Sequence, residues 1–461
     1  MKVIIGIEAH LPINLVDTKL FCGCSLPDEN AKPNTFSCPV CLSMPGSKPV
    51  VNKRVIELAL RLAIALNSEI QGQIIFSRKN YFYPDLPSGY QRTQYEIPLG
   101  KGGFVILNSG KKVRLRRVHI EEDPGALIHK GAYCLVDYNR SGMPLTEIVT
   151  EPDLESPEEA REFLNKLIMT VNYLGIHDSK KSAVRADANI SIEGNNRVEI
   201  KNITGFKEIE SALFYEIARQ KQELGEGKVI YQHTRGWDTN KQITFFQRGK
   251  ETEIDYSYIT ECDLVPIEIT KEFIERVKKD IPELAHEKIE RYIKDFKLNK
   301  EDAETIASEF LLADLFEKVS KKIDPMLAAK WLRRELIRVV EYNKLNLHDL
   351  ELDETHLIEL LDLLEKKQIT ERVAQKIMEM LVEKSFSPKE YIKKEGIKVV
   401  SEDKELEILC KEAIGQSKKA VDDYKSGNEK ALFFLSGAVM KKTKGQADIR
   451  KVNEILKKLL K

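Results

Sequence analysis

The 461-residue chain lacks any uninterrupted apolar run near the roughly 20 residues that cross a bilayer, and it lacks a net charge, with 73 Lys and Arg against 73 Asp and Glu. The first absence predicts a soluble protein with no membrane partner. The second argues against a basic coat over the whole surface, leaving any nucleic-acid contact to local patches. Two catalytic signatures are also missing. Without a G-x-x-x-x-G-K-[ST] loop, ATP phosphates would have to be held by something other than a P-loop. Without a G-x-S-x-G elbow or a Gly/Ser-rich amidase stretch the sequence shows no nucleophile for hydrolysing an amide, so a catalytic partner would have to supply any such step. Cysteine is scarce, yet four of the seven lie between positions 22 and 41.

Those four form Cys22-x-Cys24 and Cys38-Pro-Val-Cys41. Two close pairs on tight turns, joined by a loop, suit a tetrahedral thiolate site, and four thiolates close the coordination sphere of a structural Zn2+. Disulfides are the competing use of the same residues. The chain opens on Met1-Lys2-Val3 without a charged and apolar leader, a pattern expected of a cytoplasmic, reducing setting. Cys134, Cys262 and Cys410 lack partners at chelating spacing and read as partly buried thiols.

The pattern changes along the chain. Short alternating runs, turn signals and few helices extend to about residue 270; Ser156-Pro157-Glu158-Glu159 opens one helix with a capping box. Beyond it the periodicity is helical almost throughout, with a connector near 385–396 before a terminal module. The expectation is an α+β protein: a mixed β domain over 1–270, a helical domain over 271–398 and a helical tail over 399–461. Residues 441–461 carry eight Lys or Arg against two acids, a local charge of +6. That end reads as a solvated helix face or a salt-sensitive phosphate contact.

Polar chemistry gathers in the first portion. Val3, Ile5 and Ile7 alternate along a strand, so Glu8 and His10 project from one side. His119-Ile120-Glu121-Glu122-Asp123 adds three adjacent carboxylates and Pro144-Leu145-Thr146-Glu147 another. Like charges gathered in this way call for a cation, and Mg2+ on carboxylates beside a phosphate suits phosphoryl transfer, with Mn2+ more tolerant of the histidine. Asp187, Asn189 and Ser191 share one face of their strand, as do Glu199 and Lys201 of theirs. These strands read as walls of a polar cradle.

The stretches Phe21-Cys22-Gly23-Cys24, Cys38-Pro39-Val40-Cys41-Leu42, Arg78-Lys79-Asn80-Tyr81-Phe82-Tyr83-Pro84-Asp85-Leu86-Pro87, His119 to Asp123 and Val198-Glu199-Ile200-Lys201-Asn202 closely resemble the B-type subunit of the tRNA-dependent amidotransferases. Leu435-Ser436-Gly437 through Ala447 is similar to that family's terminal tRNA-binding tail, so the resemblance covers the whole chain. It implies a cradle-shaped catalytic domain, a helical domain and a tail, working with an amidase (A-type) subunit together with a small (C-type) subunit. It further implies ATP-dependent phosphorylation of the side-chain carboxylate of misacylated Asp-tRNA(Asn) or Glu-tRNA(Gln), then amination by ammonia delivered from the amidase.

On that resemblance the Mg2+-binding and catalytic set is Glu8, His10, Glu121, Glu122 and Glu147, and Lys79, Tyr81, Tyr83, Asp187, Asn189 and Lys201 contact nucleotide or the aminoacyl end. The basic tail becomes a contact with the tRNA body. Three positions depart from the family pattern: Pro12 stands where an amide is usual, Ser257 where Asp-Tyr-Arg-Tyr-Phe has its arginine, and Ala186 in a common Arg-Cys-Asp. Two other classes use part of the same residues. A non-catalytic zinc-bearing tRNA-binding subunit needs only the cysteines and the tail, and a metal-dependent phosphotransferase or nuclease only the carboxylates.

Overall fold

Alternation along Val3–Pro12 (β1) sends Ile5, Ile7, Ala9 and Leu11 into a dry layer, each 1% exposed or less, and turns Ile4, Gly6, Glu8 and His10 to the other face. The computed structural model describes every residue except 29, 250–255, 348–349, 398–402, 427, 429, 444 and 461. Asp255 and the expected boundary at 398/399 lie outside the described residues. Two compact units result, Met1–Leu284 and Ala285–Lys461.

In the first unit β1 is followed by short strands: β2 (Glu69–Ile70), β3 (Gln73–Ile74), β4 (Ser77–Asn80), β5 (Tyr90–Thr93), β6 (Gly100–Lys101) and β7 (Phe104–Ile106). Then come β8 (Lys112–Glu122), β9 (Ala126–Lys130), β10 (Tyr133–Asp137), β11 (Pro144–Thr150), β12 (Arg185–Ile192) and β13 (Val198–Thr204). The last strands are β14 (His233–Asp238), β15 (Ile243–Gly249), β16 (Ile259–Thr260) and β17 (Ile267–Glu268). Ten strands form one mixed sheet in the order β15-β14-β13-β12-β1-β11-β8-β6-β2, with β7 on β8. Among the described residues of that sheet, β13 and β14 run parallel and the other pairings are antiparallel.

Helices α1 (Lys53–Ala65), α2 (Pro157–Leu174) and α3 (Phe206–Gly225) pack behind the sheet, and α4 (Lys271–Lys279) packs on α1. Ser156 caps α2 by accepting from the Glu159 N–H, Pro157 takes the first helical position, and Gly175 closes the helix at φ 60°. These helices leave the other face of the sheet to the polar side chains that β1, β12 and β13 turn toward it. That single choice of face creates the site.

The second unit is helical: α5 (Ala285–Asp295), α6 (Lys300–Ala307), α7 (Phe310–Val319), α8 (Pro325–Trp331), a π-helical turn at Leu332–Leu336, α9 (Ile337–Tyr342), α10 (Glu354–Glu365), α11 (Glu371–Glu383) and α12 (Pro388–Glu395). These surround a core that includes Tyr292, Phe316, Trp331 and Leu360. Then α13 (Asp403–Gln416), α14 (Lys418–Lys425), α15 (Lys430–Lys442) and α16 (Ile449–Leu460) share a second core around Leu406, Cys410, Leu435 and Leu456. Cys410 is buried there, whereas Cys262, expected to be partly buried, is exposed. On α16, Val452, Leu456 and Leu460 face the core and Arg450, Lys457 and Lys458 face water. The fold is α+β, as its patterning implies.

A buried charge cluster fastens α3 to the sheet edge. Glu216, fully buried, accepts from Arg219 at 2.6 and 2.9 Å, from Gln220 at 2.9 Å and from Thr244 at 2.8 Å, with Arg235 at 3.4 Å. Removing the acid takes the shared carboxylate from two half-buried guanidinium groups and from Gln220 and Thr244, so Glu216→Ala is expected to lower unfolding stability by about 2 kcal/mol. The urea midpoint measures this, and an unchanged midpoint would show the cluster to be energetically idle.

Candidate functional site

Register decides which side chains meet on the open face. His10 lies opposite Glu147 of β11 and Glu8 opposite Asp187 of β12, while Glu147 lies opposite His119 of β8. His10 Nε2 is 3.5 Å from Glu147 Oε2 and 3.9 Å from Glu121 Oε1. His119 Nε2 lies 3.6 Å from Glu147 and 3.9 Å from Glu121. Donor atoms of His10, Glu121 and Glu147 fall within 4.8 Å of one another, as a single cation would need. Thr93 holds Glu121 by donating to Oε2 at 3.3 Å, and Arg117 stands 3.8 Å from Glu147.

A second trio, Glu8, Asp187 and Glu199, also converges within 4.8 Å. Here the chain brings its own cation. Lys201 Nζ lies 2.9 Å from Asp187 and 3.2 Å from Glu199, Asn189 donates to Glu8 at 2.8 Å, and Thr234 donates to Glu199 at 3.1 Å. Both trios open into one polar cavity of about 290 Å³, also lined by Lys79, Arg117, Tyr95, Tyr256 and Tyr258. Lys79 lies over the Tyr256 ring at 4.7 Å.

Burial and crowding shift the acids apart. Burial alone would lower His10, but Glu147, Asp187 and Glu121 outweigh it and raise it to about 9. Burial lowers His119 to about 4 against the pull of Glu147. Glu121 is raised to about 7 by burial and by Glu147. Glu147 is pushed up by burial but carried well below the ordinary range by His119 and His10. Lys201, which burial would lower, is held well above its usual range by Asp187, Glu199 and Glu8.

The expected set is thus brought together only in part. His10, Glu121 and Glu147 meet; Glu8 lines the same cavity in the second trio, beside Asp187 and Lys201. Glu122 is not with them. Adjacent to Glu121 on β8, it faces the opposite side, where Arg92 donates to its two oxygens at 3.2 and 3.3 Å. Lys79 reaches the cavity, whereas Asn189 lines a neighbouring hollow and touches the site through its hydrogen bond to Glu8. Tyr81 is set behind, edge-on to Tyr256 at 5.9 Å and donating to Gln91, while Tyr83 is half exposed outside the lining. Arg117, His119, Thr93 and Tyr258 also line the site without having been expected in it, whereas Glu199 stands on the cradle wall where its strand's alternation put it; for Arg117 and His119 the two-residue period ending at Glu121 was the available signal.

The four cysteines converge beside this sheet. Cys24 and Cys38 lie 4.0 and 3.9 Å from Cys41, sulfur to sulfur, and all four are free thiols. A disulfide requires about 2.05 Å, whereas sulfurs at tetrahedral corners about 2.3 Å from zinc are about 3.8 Å apart. The donor set fits Zn2+. Cys41 is lowered to about 5, first by Cys22, then against burial by the Cys38 N–H and by Lys19. Fully buried, Lys19 donates to the Phe36 carbonyl at 2.8 Å and lies 3.7 Å from Cys41 Sγ. Gly142 packs beside Cys41 and Lys19 with φ at 80°, a left-handed backbone conformation that a side chain would strain. Asn34, Phe36 and Ser141 join the loop to residues 136–141 through Val136, Asp137, Asn139 and Cys41.

The site's charge has a measurable consequence. Folding favours protonated His10 and neutral Glu121, since both values lie above their ordinary 6.5 and 4.5. Their stabilising contribution is present at lower pH and is lost as pH rises through about 7 and then about 9. In cation-free protein the His10 contribution should therefore fall by on the order of 2 kcal/mol between pH 7 and 9, while the lowered Cys41 thiol acts in the opposite direction over the same window. Denaturant unfolding of the parental protein and of His10→Gln at the two pH values measures it as the difference between their profiles; parallel profiles would contradict the assignment.

Residues 3–275 match the family model described as GatB/GatE catalytic domain, and residues 314–460 match the GatB domain. A Thermotoga maritima protein named as the B-type subunit of aspartyl/glutamyl-tRNA(Asn/Gln) amidotransferase is 41% identical, over 99% of this chain and 98% of its own length. The proteins of the same name from Persephonella marina and Methanospirillum hungatei are 40% and 41% identical, covering 99% and 100% of this chain and 99% and 98% of theirs. With identity of this level running from end to end, and one model matching more than half of the residues, the chain belongs to the family of B-type subunits of the aspartyl/glutamyl-tRNA amidotransferases.

Proposed function

We propose that this chain uses ATP to activate the side-chain carboxylate of misacylated Asp-tRNA(Asn) or Glu-tRNA(Gln) for amination, in the cytoplasm, with an amidase (A-type) subunit together with a small (C-type) subunit. The observation that carries the reading is the convergence of His10, Glu121 and Glu147 in the same cavity as Lys79, Arg117 and Lys201. A carboxylate is a poor electrophile because its charge is delocalised and oxide leaves badly. Transfer of the γ-phosphoryl group to a carboxylate oxygen, with ADP departing, converts it to an acyl phosphate. Ammonia then forms the C–N bond, phosphate leaves, and a proton is released.

His10, Glu121 and Glu147 would hold Mg2+, which when bound neutralises charge on the transferring phosphoryl group. Thr93 orients Glu121 for that task. Lys79 and Arg117 present fixed positive charge to phosphate oxygens, and Lys201, locked by Asp187 and Glu199, does so on the β13 side. Asn189 keeps Glu8 turned inward. Glu122 is outside this set. Cys22, Cys24, Cys38 and Cys41 would bind Zn2+ in a structural role, and the basic face of α16 would meet the tRNA backbone. The three-part division 1–270, 271–398 and 399–461 is the domain plan that goes with these roles.

The reading is tested by reconstituting the chain with candidate amidase and small partner subunits, omitting glutamine and ATP in turn, and following amide on Asp-tRNA and Glu-tRNA. Amide should require both, and Glu147→Gln should lower its rate by about 100-fold or more with glutaminase intact. No amide despite glutaminase activity and tRNA binding would leave a non-catalytic tRNA-binding subunit. Separately, Cys38→Ser should reduce bound zinc from one equivalent towards none, read by elemental analysis; parental protein without zinc would remove the metal from this loop.

A further inference from the structure

Arg92 and Glu122 sit directly behind the cavity. Arg92 is 6% exposed, Glu122 8% and Glu261 1%. Arg92 Nε donates to Glu261 Oε2 at 3.0 Å; its Nη1 and its backbone N–H reach Glu122, the latter at 2.9 Å. Glu261 also accepts from Arg78 at 2.5 Å, Arg78 reaches Asp263 at 3.3 Å, and Lys48 pairs with Asp263. Phe21 and Tyr90 flank the Arg92 guanidinium at 5.4 and 5.2 Å. Three cations thus alternate with three acids, and two of the acids share one buried guanidinium.

Arg78, Arg92 and Glu122 each adjoin a cavity residue, Lys79, Thr93 and Glu121 in turn. Arg92 precedes Thr93, and Glu122 follows Glu121, the pair Thr93 and Glu121 being joined by a hydrogen bond inside the site. Glu261 donates its N–H to the Phe76 carbonyl at 2.9 Å, just beyond β16, which pairs with β4. Upstream of it, Tyr258 stacks on Tyr95 at 4.0 Å with the rings 8° from parallel, and Tyr256 meets Tyr81. β5, β8 and the segment from Tyr256 to Asp263 therefore share one ionic fastening, with alternation turning the fastening inward and the working groups outward.

We propose that Arg92 is a positioning residue for the amidation reaction: without facing the cavity, it holds Glu121 and the Tyr256 and Tyr258 wall in place through Glu122 and Glu261. Its kinetic consequence rests on the amidotransferase reading; its structural consequence does not.

The experiment uses the full chain with its partner subunits and three variants: Arg92→Met, Arg92→Lys, and Arg92→Met with Glu122→Gln and Glu261→Gln. The triple variant removes the buried acids' charge together with the cation, so that it folds where Arg92→Met alone is at risk from two uncompensated carboxylates. Hydrogen exchange over 256–261 should quicken about 10-fold in the triple variant with exchange in β12 unchanged, and KM for misacylated tRNA or ATP should rise about 10-fold. Arg92→Lys should recover part of both. A folded triple variant with parental exchange over 256–261 and KM within about twofold, or a loss of activity that only tracks the folded fraction, would overturn the proposal. Parental protein that makes no amide would instead sink the amidotransferase reading, and the exchange arm would still decide the role of Arg92.

Discussion

The register of β1 between β11 and β12 is the constraint on which the site depends. This one strand places His10 against Glu147 on one side and Glu8 against Asp187 on the other. A slip of one residue would turn Glu8 and His10 into the helix-covered layer and bring Ile7 and Ala9 onto the open face. The register is secured by apolar neighbours that have no other place to go: Ile5, Ile7, Ala9 and Leu11 from β1, Ala186, Ala188 and Ile190 from β12. Stability and chemistry thus use alternate residues of the same strands, and the hydrophobic half aligns the polar half.

Within that frame two acid trios are handled differently. Around His10, Glu121 and Glu147 the neighbouring charges are set back, with Arg117 at 3.8 Å from Glu147. Around Glu8, Asp187 and Glu199 an ammonium is already in place at 2.9 Å from Asp187. Like charges crowded beside one another need compensation; one trio receives it from a lysine of the same chain, while on the proposed reading the other would receive it from Mg2+. The asymmetry gives the Glu8 trio a permanent positive partner, whereas that of the His10 trio would arrive with its ligand.

Much of this is legible in the order of the residues alone. Alternation in Val3–Pro12 puts Glu8 and His10 on a common side, and the cysteine spacing anticipates a cluster of four thiols. The change from short strands to helical periodicity anticipates an α+β fold. The assignment of Glu122 beside Glu121 fails on a point that the sequence already contains, since neighbours on a strand face opposite ways. Arg92 and Glu261 are harder: they stand 169 residues apart, and no local pattern reports that two such side chains share a buried pocket. Tyr95 and Tyr258 are hidden for the same reason. Thr93 and Thr234 act through single hydrogen bonds whose partners only tertiary register selects.

The loop of cysteines carries a consequence for the order of synthesis. Its sulfurs come from residues 22–41, but the groups that close over it come from residues 136–142: the Val136 and Tyr138 carbonyls, the side chains of Asp137, Asn139 and Ser141, and the backbone of Gly142. A growing chain presents all four thiols to the cell about a hundred residues before their cover is made. During that interval the segment has the Phe36 carbonyl for Lys19 but lacks the Tyr138 carbonyl and the side chains of residues 137–141 that later join the turns. Four neighbouring thiols not yet covered are open to oxidation as well as to a metal, so the redox state around the growing chain bears on this loop before the rest of the fold does.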